Sequence, residues 1–368
     1  MISSNAYYTQ AVHNIDSPAL LVFPDLVQQN IRSACELVRG QNTILRPHVK
    51  TVKCSEVIKM ALQHGIDRFK SSTISESELL AISGVHDVLL CYQLSEVKAF
   101  RFGQLRKMYP KTVFSSLIDN INSAMLLSER FKERPMDVYV DINLGMDRTG
   151  IRPEQTLDLV RACSGLKGLN IVGLHGYDGH VHSPDQKLRE AESNGIFEQM
   201  KFLRQEVENY LERKIKVVMG GSPSFAYYAK KDEIECSPGT IFFWDAGYKY
   251  NYAELPFIPA ALLLTRIVSI IDENMLCFDL GSKAVAADPP QPRVEILDLE
   301  NQSIVGQYEE HLVVSVPDTS KYVVGQPFFA VPYHICPTVN LYETLVVIRE
   351  GNIAETWAVQ ARNRKITV

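Results

Sequence analysis

Lys50 is the residue of this sequence that is best placed for covalent chemistry. It follows the β-rich run 43–48, at the point where a strand gives way to a loop. An amine that is partly removed from water can lose its proton, form a Schiff base with an aldehyde, and act as an acid or base once released. The plainer interpretation is a solvated surface lysine, and Lys53 is a nearby rival.

Arg148 is the second candidate, and it lies in the polar loop 143–150 with two glycines. A guanidinium group binds oxyanions through paired hydrogen bonds, so Arg148 could fix an anionic oxygen of a ligand. The alternative is that Arg148 closes its own loop through a carboxylate such as Asp147.

His175 and Tyr177 belong to a segment, residues 174–182, with three histidines and two glycines. The segment is too polar for packing alone. Three histidines suggest a metal site, but they lack the spacing of metal ligands. A ring that faces a cofactor, with solvated neighbours, is therefore the favoured interpretation.

Two glycine-containing loops could cradle a phosphate. Gly221 and Ser222 lie in the run 218–224, while Gly239 and Thr240 lie in residues 237–240, through which a β-rich run at 236–243 is entered. Glycine lets backbone N–H groups approach an anion closely, and hydroxyl groups add further donors. A short helix from Pro223 would also point its positive end at the anion.

His334 and Cys336 are two residues apart, so on an extended segment both side chains face the same side. Imidazole and thiolate together suit zinc, and two protein ligands leave positions for water and substrate. The alternative is a buried thiol beside an unrelated histidine.

The candidates occur at regular places in an alternating pattern. Between about residues 43 and 245, β-rich runs alternate with segments of helical spacing. The runs are 43–48, 67–71, 87–91, 112–117, 136–142, 169–175, 216–219 and 236–243. The simplest closed arrangement of eight such units is a TIM (β/α)8 barrel of the α/β class. Sites in such barrels form where strands end, and phosphate is often held after the last two strands.

After residue 245 the pattern changes to β-rich runs without helices between them, which predicts a smaller all-β domain. We expect the barrel to span residues 18–247 and the β domain to span residues 248–368. A strand at 19–23 is expected to lead into the barrel, and residues 1–17 are expected to join the β domain. The β-rich runs here are 260–271, 275–279, 311–316, 326–331, 341–349 and 355–359.

Composition and net charge limit the classes of partner that the protein is expected to bind. A hydrophobic content of 46% with 22% charged residues is typical of a folded globular protein, and the net charge of −5 makes nucleic acid or an anionic membrane a poor partner. A small-molecule substrate is favoured. The seven scattered cysteines lack a paired framework and indicate reduced thiols. With no secretory pattern at the N-terminus and no long apolar run, we expect a cytoplasmic protein.

Together these motifs resemble the D-threonine aldolase and D-serine dehydratase family, which is similar to alanine racemase in its fold-type III barrel and β domain. The motifs are RPHVKT (46–51), DRTG (147–150), GGSP (220–223), PGT (238–240) and HICP (334–337). The resemblance implies that Lys50 carries pyridoxal 5'-phosphate, that Arg148 lies near its phenolic oxygen, and that Tyr177 approaches its pyridine nitrogen. It also implies phosphate contacts from Ser222, Gly239 and Thr240, a role for His175 near the cofactor, and a homodimer.

One position departs from the alanine racemases, which carry an arginine where this chain has Ser237. That arginine keeps the pyridine nitrogen unprotonated, so its absence favours reactions at Cβ over racemisation. The resemblance thus implies a lyase for small β-hydroxy D-amino acids, dependent on pyridoxal phosphate and on a divalent metal at His334 and Cys336, zinc being favoured over manganese.

Alternative functions stay open on the sequence alone. The lyase would be either an aldolase, which releases glycine and an aldehyde, or a dehydratase, which releases pyruvate and ammonia. The cysteine ligand leans towards the dehydratase, because a thiolate favours zinc. An alanine racemase-type racemase, a non-catalytic barrel that carries the cofactor, and a metal-dependent hydrolase are the other interpretations.

Overall fold

The structure is a computed structural model that describes residues 2, 6, 7, 9–41 and 43–368. Its contacts divide the chain into two compact units. The barrel unit comprises Ala34–Gly239 with Asn363–Val368, and the sheet unit comprises Met1–Ser33 with Thr240–Arg362. This division falls between Gly239 and Thr240, whereas the domain boundary after residue 247 stays a prediction.

A short 3-10 helix (Gln10–Asn14) precedes strand β1 (Ala19–Val22) and helix α1 (Pro24–Leu37). The barrel unit then alternates strands and helices, as the sequence pattern predicts. Its strands are β2 (Ile44–Leu45), β3 (Arg68–Ser71), β4 (Asp87–Gln93), β5 (Val113–Ile118), β6 (Met136–Ile142), β7 (Leu169–Gly176), β8 (Lys216–Met219) and β9 (Glu235–Cys236). Its helices are α2 (Ser55–Gln63), α3 (Ile74–Ile82), α4 (Glu96–Met108), α5 (Ile121–Arg130), α6 (Thr156–Cys163), α7 (Gln186–Leu211) and α8 (Phe225–Tyr228).

The eight strands form one parallel sheet that runs from β3 through β9 in chain order and ends on β2. A parallel bridge between His48 and Lys70, with the N–H of Lys70 donating to Pro47 O at 2.8 Å, brings the two ends of the sheet together. The barrel is thus nearly closed, and the predicted fold class is confirmed.

Two details of the predicted barrel are wrong. The last strand ends at Cys236, so residues 237–240 follow this strand and do not lead into it. Residues 237–240 therefore lie at the carboxyl end of the strand, where the active sites of barrels form. The strand predicted at 19–23 is β1, which pairs with strands of the sheet unit and not with the barrel.

The sheet unit adds helices α9 (Ala246–Asn251) and α10 (Ile335–Leu341) to a mainly antiparallel sheet. Its later strands are β10 (Ala261–Asp272), β11 (Met275–Phe278), β12 (Val294–Ile296), β13 (Ser303–Gln307), β14 (Leu312–Ser315), β15 (Pro327–Pro332), β16 (Thr344–Arg349) and β17 (Asn352–Ala358). Strand β1 lies antiparallel to β10 and parallel to β16. The antiparallel domain is confirmed, but it is not purely β, and β12 and β13 were not predicted from the sequence. Among the described residues, the helices are too short or too polar to cross a membrane.

A buried ion network ties the first barrel strands to the last. The Arg46 side chain is 0% exposed; its Nε lies 2.5 Å from Glu235 Oε2, and Nη1 and Nη2 lie 2.9 and 3.0 Å from the two oxygens of Asp87. Arg68 Nη1 also donates to Glu235, at 2.7 Å. Burial alone would raise the pKa of Asp87, but the hydrogen bond and charge of Arg46 hold it below its usual value. The network therefore joins β2 to both β4 and β9.

Replacing Arg46 should test how much this network contributes. In Arg46→Met two carboxylates would be left buried without their main partner, so we expect a loss of about 3–5 kcal/mol in the free energy of unfolding, measured by urea denaturation. Arg161→Met, which removes an exposed pair with Asp158, is the matched control and should change stability by less than about 1 kcal/mol. Equal effects of the two substitutions would contradict a structural role for the network.

Candidate active site

Lys50 lies in the short turn Val49–Thr51 that follows β2. Its backbone N–H donates to Nδ1 of His48 at 3.2 Å, and its side chain is partly buried. Burial and the neighbouring Lys50 and Lys70 keep the pKa of His48 well below its ordinary value, so its ring is neutral and can accept this hydrogen bond. The turn therefore holds the Lys50 backbone in place while its amine remains reachable.

Three cationic groups surround the ring of Tyr177, in the loop after β7. Arg148 Cζ lies 5.2 Å from the ring centroid, Lys70 Nζ 5.7 Å and Lys50 Nζ 6.0 Å. The structure thus brings together Lys50, Arg148 and Tyr177, as predicted, and adds Lys70. Asp147, the alternative partner of Arg148, accepts a hydrogen bond from Asn143 Nδ2 at 2.8 Å. Such a concentration of positive charge suits an anionic ligand with a flat ring.

His175 is held inside the barrel from both sides. Its Nδ1 lies 2.7 Å from Asp141 Oδ1 on β6, and its Nε2 lies 3.2 Å from Lys70 Nζ on β3. Asp141 in turn accepts from Gln93 Nε2 at 2.9 Å. Burial and the charge of Lys70 lower the pKa of His175, but the charge of Cys91 and the hydrogen bond with Asp141 outweigh them and hold this pKa above its ordinary value. His175 is therefore a fixed and readily protonated ring.

The two glycine loops of the barrel unit meet each other. Gly239 N–H donates to Ser222 Oγ at 3.2 Å, and Gly221 N–H donates to Ser224 Oγ at 3.2 Å. A Cβ on Gly239 would lie 3.8 Å from Lys50 Cε, and one on Gly221 would lie 3.2 Å from Tyr177 Cε2. The backbone of both loops thus passes close to the side chains that are candidates for cofactor binding.

In the sheet unit, His334 is the residue that precedes α10, and Cys336 lies in the first turn of this helix. The expectation of an extended segment is therefore wrong, because Asp245 Oδ2 accepts from Ile335 N at 3.1 Å and helps the helix to start here. The two side chains are nevertheless hydrogen-bonded to each other. Thr240 Oγ1, in the same unit, lies 3.6 Å from Cys336 Sγ.

Asp288 orients the imidazole of His334, with Oδ2 2.6 Å from Nδ1. Burial lowers the pKa of His334, but Cys336 and Asp288 outweigh this effect and raise the pKa to about 9. A carboxylate on one ring nitrogen is the usual support for a histidine whose other nitrogen binds a metal. Within the described part of the chain, three or more His, Cys, Asp or Glu side chains do not gather as a metal-binding group. The His334 and Cys336 pair thus stays a prediction as a metal site.

Lys70, Asp141 and Cys91 were not predicted as site residues. All three lie on barrel strands, whereas most of the predicted site residues of the barrel lie in the loops after the strands. The sequence of β3, RFKS, gives little signal for Lys70, because a lysine in such a polar run is expected to be exposed.

Asp141→Asn should lower the pKa of His175, because it removes a negative partner. The raised pKa of His175 means that its contact stabilises the fold at low pH and is lost as pH rises through the folded-state pKa. The pKa of Asp141 is lowered, by His175 against the effect of burial, so its contribution is lost as pH falls through its own folded-state pKa. We therefore expect wild type to exceed Asp141→Asn in stability most clearly between these two values.

Ring-proton NMR of labelled histidines gives the pKa, and urea unfolding across pH gives the stability difference. Asp119→Asn is the control, because its carboxylate binds the same Gln93 at 2.9 Å. An unchanged titration of His175 in Asp141→Asn would show that the contact does not set its protonation.

Comparison with known proteins places this architecture. Residues 24–246 match the family model of the alanine racemase N-terminal domain, and residues 260–348 match that of a putative serine dehydratase domain. D-threonine aldolase of Arthrobacter sp. is 24% identical, over 95% of this chain and 93% of that protein. The 3-hydroxy-D-aspartate aldolase of Paracoccus denitrificans (strain Pd 1222) is 26% identical over the same shares. D-serine dehydratase of Dictyostelium discoideum is 24% identical, over 93% of this chain and 95% of that protein.

Solved structures agree. The crystal structure of D-threonine aldolase from Filomicrobium marinum is similar with a TM-score of 0.86 and 25% identity, over 95% of this chain and 96% of the other. Because the first family model spans more than half of the chain, the protein belongs to the alanine racemase N-terminal domain family, in the group with D-threonine aldolases and D-serine dehydratases that the motifs predict.

Proposed function

We propose that this protein is a lyase, dependent on pyridoxal phosphate and a divalent metal, that acts on small β-hydroxy D-amino acids. The observation that carries the proposal is the placement of Lys50 beside Tyr177, Arg148 and the two glycine loops. The relatives named D-threonine aldolase, 3-hydroxy-D-aspartate aldolase and D-serine dehydratase support the substrate class.

The residues of the barrel unit fit pyridoxal phosphate. The amine of Lys50 suits its aldehyde, and the guanidinium of Arg148 suits its phenolic oxygen. The loops at Gly221, Ser222 and Gly239 offer small residues that let an anion approach closely, and a hydroxyl group at Ser222. In the structure, the N–H groups of Gly221 and Gly239 donate to Ser224 and Ser222. We propose Thr240, the next residue in the chain, as a further phosphate contact. When bound, the cofactor would accept the electron pair left by bond cleavage at Cα, and the metal would polarise the β-hydroxyl of the substrate.

The residues of the chain then supply orientation and proton transfer. Lys50 Nζ is the group that we expect to take the α-proton in a dehydration, because the Lys50 side chain passes close to Gly239 in the second glycine loop. His175, fixed by Asp141, holds a proton at Nε2 or shares it with Lys70. Tyr177 provides a ring against which the flat cofactor can be positioned.

We further propose that His334 and Cys336 hold the metal, with zinc favoured by the thiolate. Asp288 supports this role because its contact with Nδ1 leaves the other nitrogen of His334 for coordination. Because a thiolate ligand favours zinc, we also expect dehydration to be favoured over aldol cleavage. The resemblance to the family supports a homodimer as well.

Reduction with borohydride after incubation with pyridoxal phosphate should attach the cofactor permanently to Lys50, as peptide mapping by mass spectrometry would show. Lys50→Ala should lose the label and essentially all turnover, because the amine is the proposed point of attachment. Lys53→Ala is the matched control and should keep both. A label on Lys53 in the wild-type chain would overturn the assignment.

Turnover should appear with D-serine, D-threonine or 3-hydroxy-D-aspartate, and we expect the amount of pyruvate formed from D-serine to exceed the amount of glycine formed from D-threonine.

Removing either metal ligand, in His334→Ala or Cys336→Ala, should lower kcat roughly 100-fold and reduce bound zinc, since the metal supplies several kcal/mol of charge stabilisation. Cys277→Ala removes a buried thiol of the same unit and should leave both quantities unchanged. Full activity after chelation and dialysis would contradict the metal requirement.

A further inference from the structure

Lys70 is a buried lysine that contacts His175 but has no function of its own in the proposed reaction. It lies on β3 between Phe69 and Ser71, and only 3% of its surface is exposed. Lysine is among the residues that are least often buried, because removing an ammonium group from water is costly. Its position therefore requires partners that stabilise the amine.

Those partners belong to the candidate cofactor site. Lys70 Nζ lies 3.2 Å from His175 Nε2 and 5.7 Å from the centroid of the Tyr177 ring. Lys50 Nζ lies 6.0 Å from the same centroid. Two amines thus approach one aromatic ring, and only one of them has an assigned function.

The charge on Lys70 depends on groups from several strands. Burial lowers the pKa of Lys70, and Lys50 lowers it further, while three acidic groups oppose this effect without overcoming it. The titratable and charged groups that face Lys70 are His48, Lys50, Cys91, Asp141, His175 and Asp178. Burial raises the pKa of Cys91, but the positive charges of Lys70 and His175 hold it below its ordinary value. Lys70 thus belongs to a cluster of titratable groups that influence one another's pKa.

The residue that follows β9, the last strand of the barrel, is not cationic, because position 237 carries a serine. Ser237 follows β9 and its hydroxyl donates to Arg46 O at 3.0 Å, so this side chain serves the backbone. The amine of Lys70 reaches the interior of the barrel from β3 instead. An amine is therefore present near the Tyr177 ring although position 237 carries a serine.

We propose that Lys70 is a positioning residue that, through His175 and its place beside the Tyr177 ring, sets the protonation state of the bound cofactor. The proposal rests on the proposed attachment of pyridoxal phosphate at Lys50. It makes the protonation of the cofactor depend on a residue of β3, far in sequence from Lys50, Arg148 and the glycine loops.

The test is the absorbance spectrum of the bound cofactor across the pH range in which lysine and cysteine titrate. Lys70→Met keeps the length of the side chain but removes the amine, and Lys70→Gln is a second neutral variant if Lys70→Met does not fold. Because a positive neighbour favours loss of a proton, the midpoint of the absorbance change should rise by about one pH unit in the neutral variants. Lys70→Arg, which restores the positive charge, should titrate near wild type.

Lys201→Met is the control, because Lys201 is a surface lysine with 66% of its side chain exposed, and its spectrum should match wild type. An unchanged or lowered midpoint in the folded neutral variants would overturn the role of Lys70. Labelling of Lys50 is measured first in each protein. If the wild-type protein does not bind the cofactor at Lys50, both the proposed function and the proposed role of Lys70 are wrong. Normal labelling of Lys50 with an unchanged midpoint of the absorbance change would contradict only the role of Lys70.

Discussion

The buried contact of Arg46 with Asp87 and Glu235 is the constraint on which the barrel site depends. Strand β2 has two residues and β9 has two, so backbone pairing alone gives little hold where the sheet closes. Arg46 follows β2 directly and bonds carboxylates on β4 and β9 at once. Removing either kind of partner would leave charge unpaired in the interior, which is far more costly than losing a surface pair. Because Lys50 is four residues further on, the network also determines where its amine emerges.

The site above this network is defined by an excess of positive charge rather than by any one side chain. Arg148, Lys70 and Lys50 all approach the Tyr177 ring, and mutual repulsion of cations in a partly buried place is unfavourable unless an anion offsets it. Asp141 offsets part of the charge through His175. A ligand with a phosphate and a phenolic oxygen would offset more. Electrostatics thus supports the same ligand that the glycine loops support by shape.

Much of this could be predicted from the sequence, because period and turn chemistry are local properties. Each of the eight predicted barrel runs overlaps a strand, although the last run overlaps β9 only at Cys236. The positions of Lys50, Arg148 and Tyr177 after the ends of strands followed from the alternation. What failed depended on distant partners. Strand β1 has the composition of any buried strand, so its pairing with β10 is not readable locally. Likewise Asp245 turns the residues around Cys336 into the start of a helix from about 90 residues away.

The polar cluster inside the barrel could not be predicted from the loops after the strands, because its side chains belong to the strands themselves. Lys70, Asp141 and His175 come from three strands, and nothing in the local sequence of any one strand indicates that the three side chains meet. Only the closed sheet puts Lys70 Nζ and Asp141 Oδ1 on opposite nitrogens of one imidazole. A ring bound on both sides keeps one orientation, which a solvated histidine does not. The loops therefore supply the groups that hold a ligand, whereas the strands beneath them supply the electrostatic environment in which it reacts.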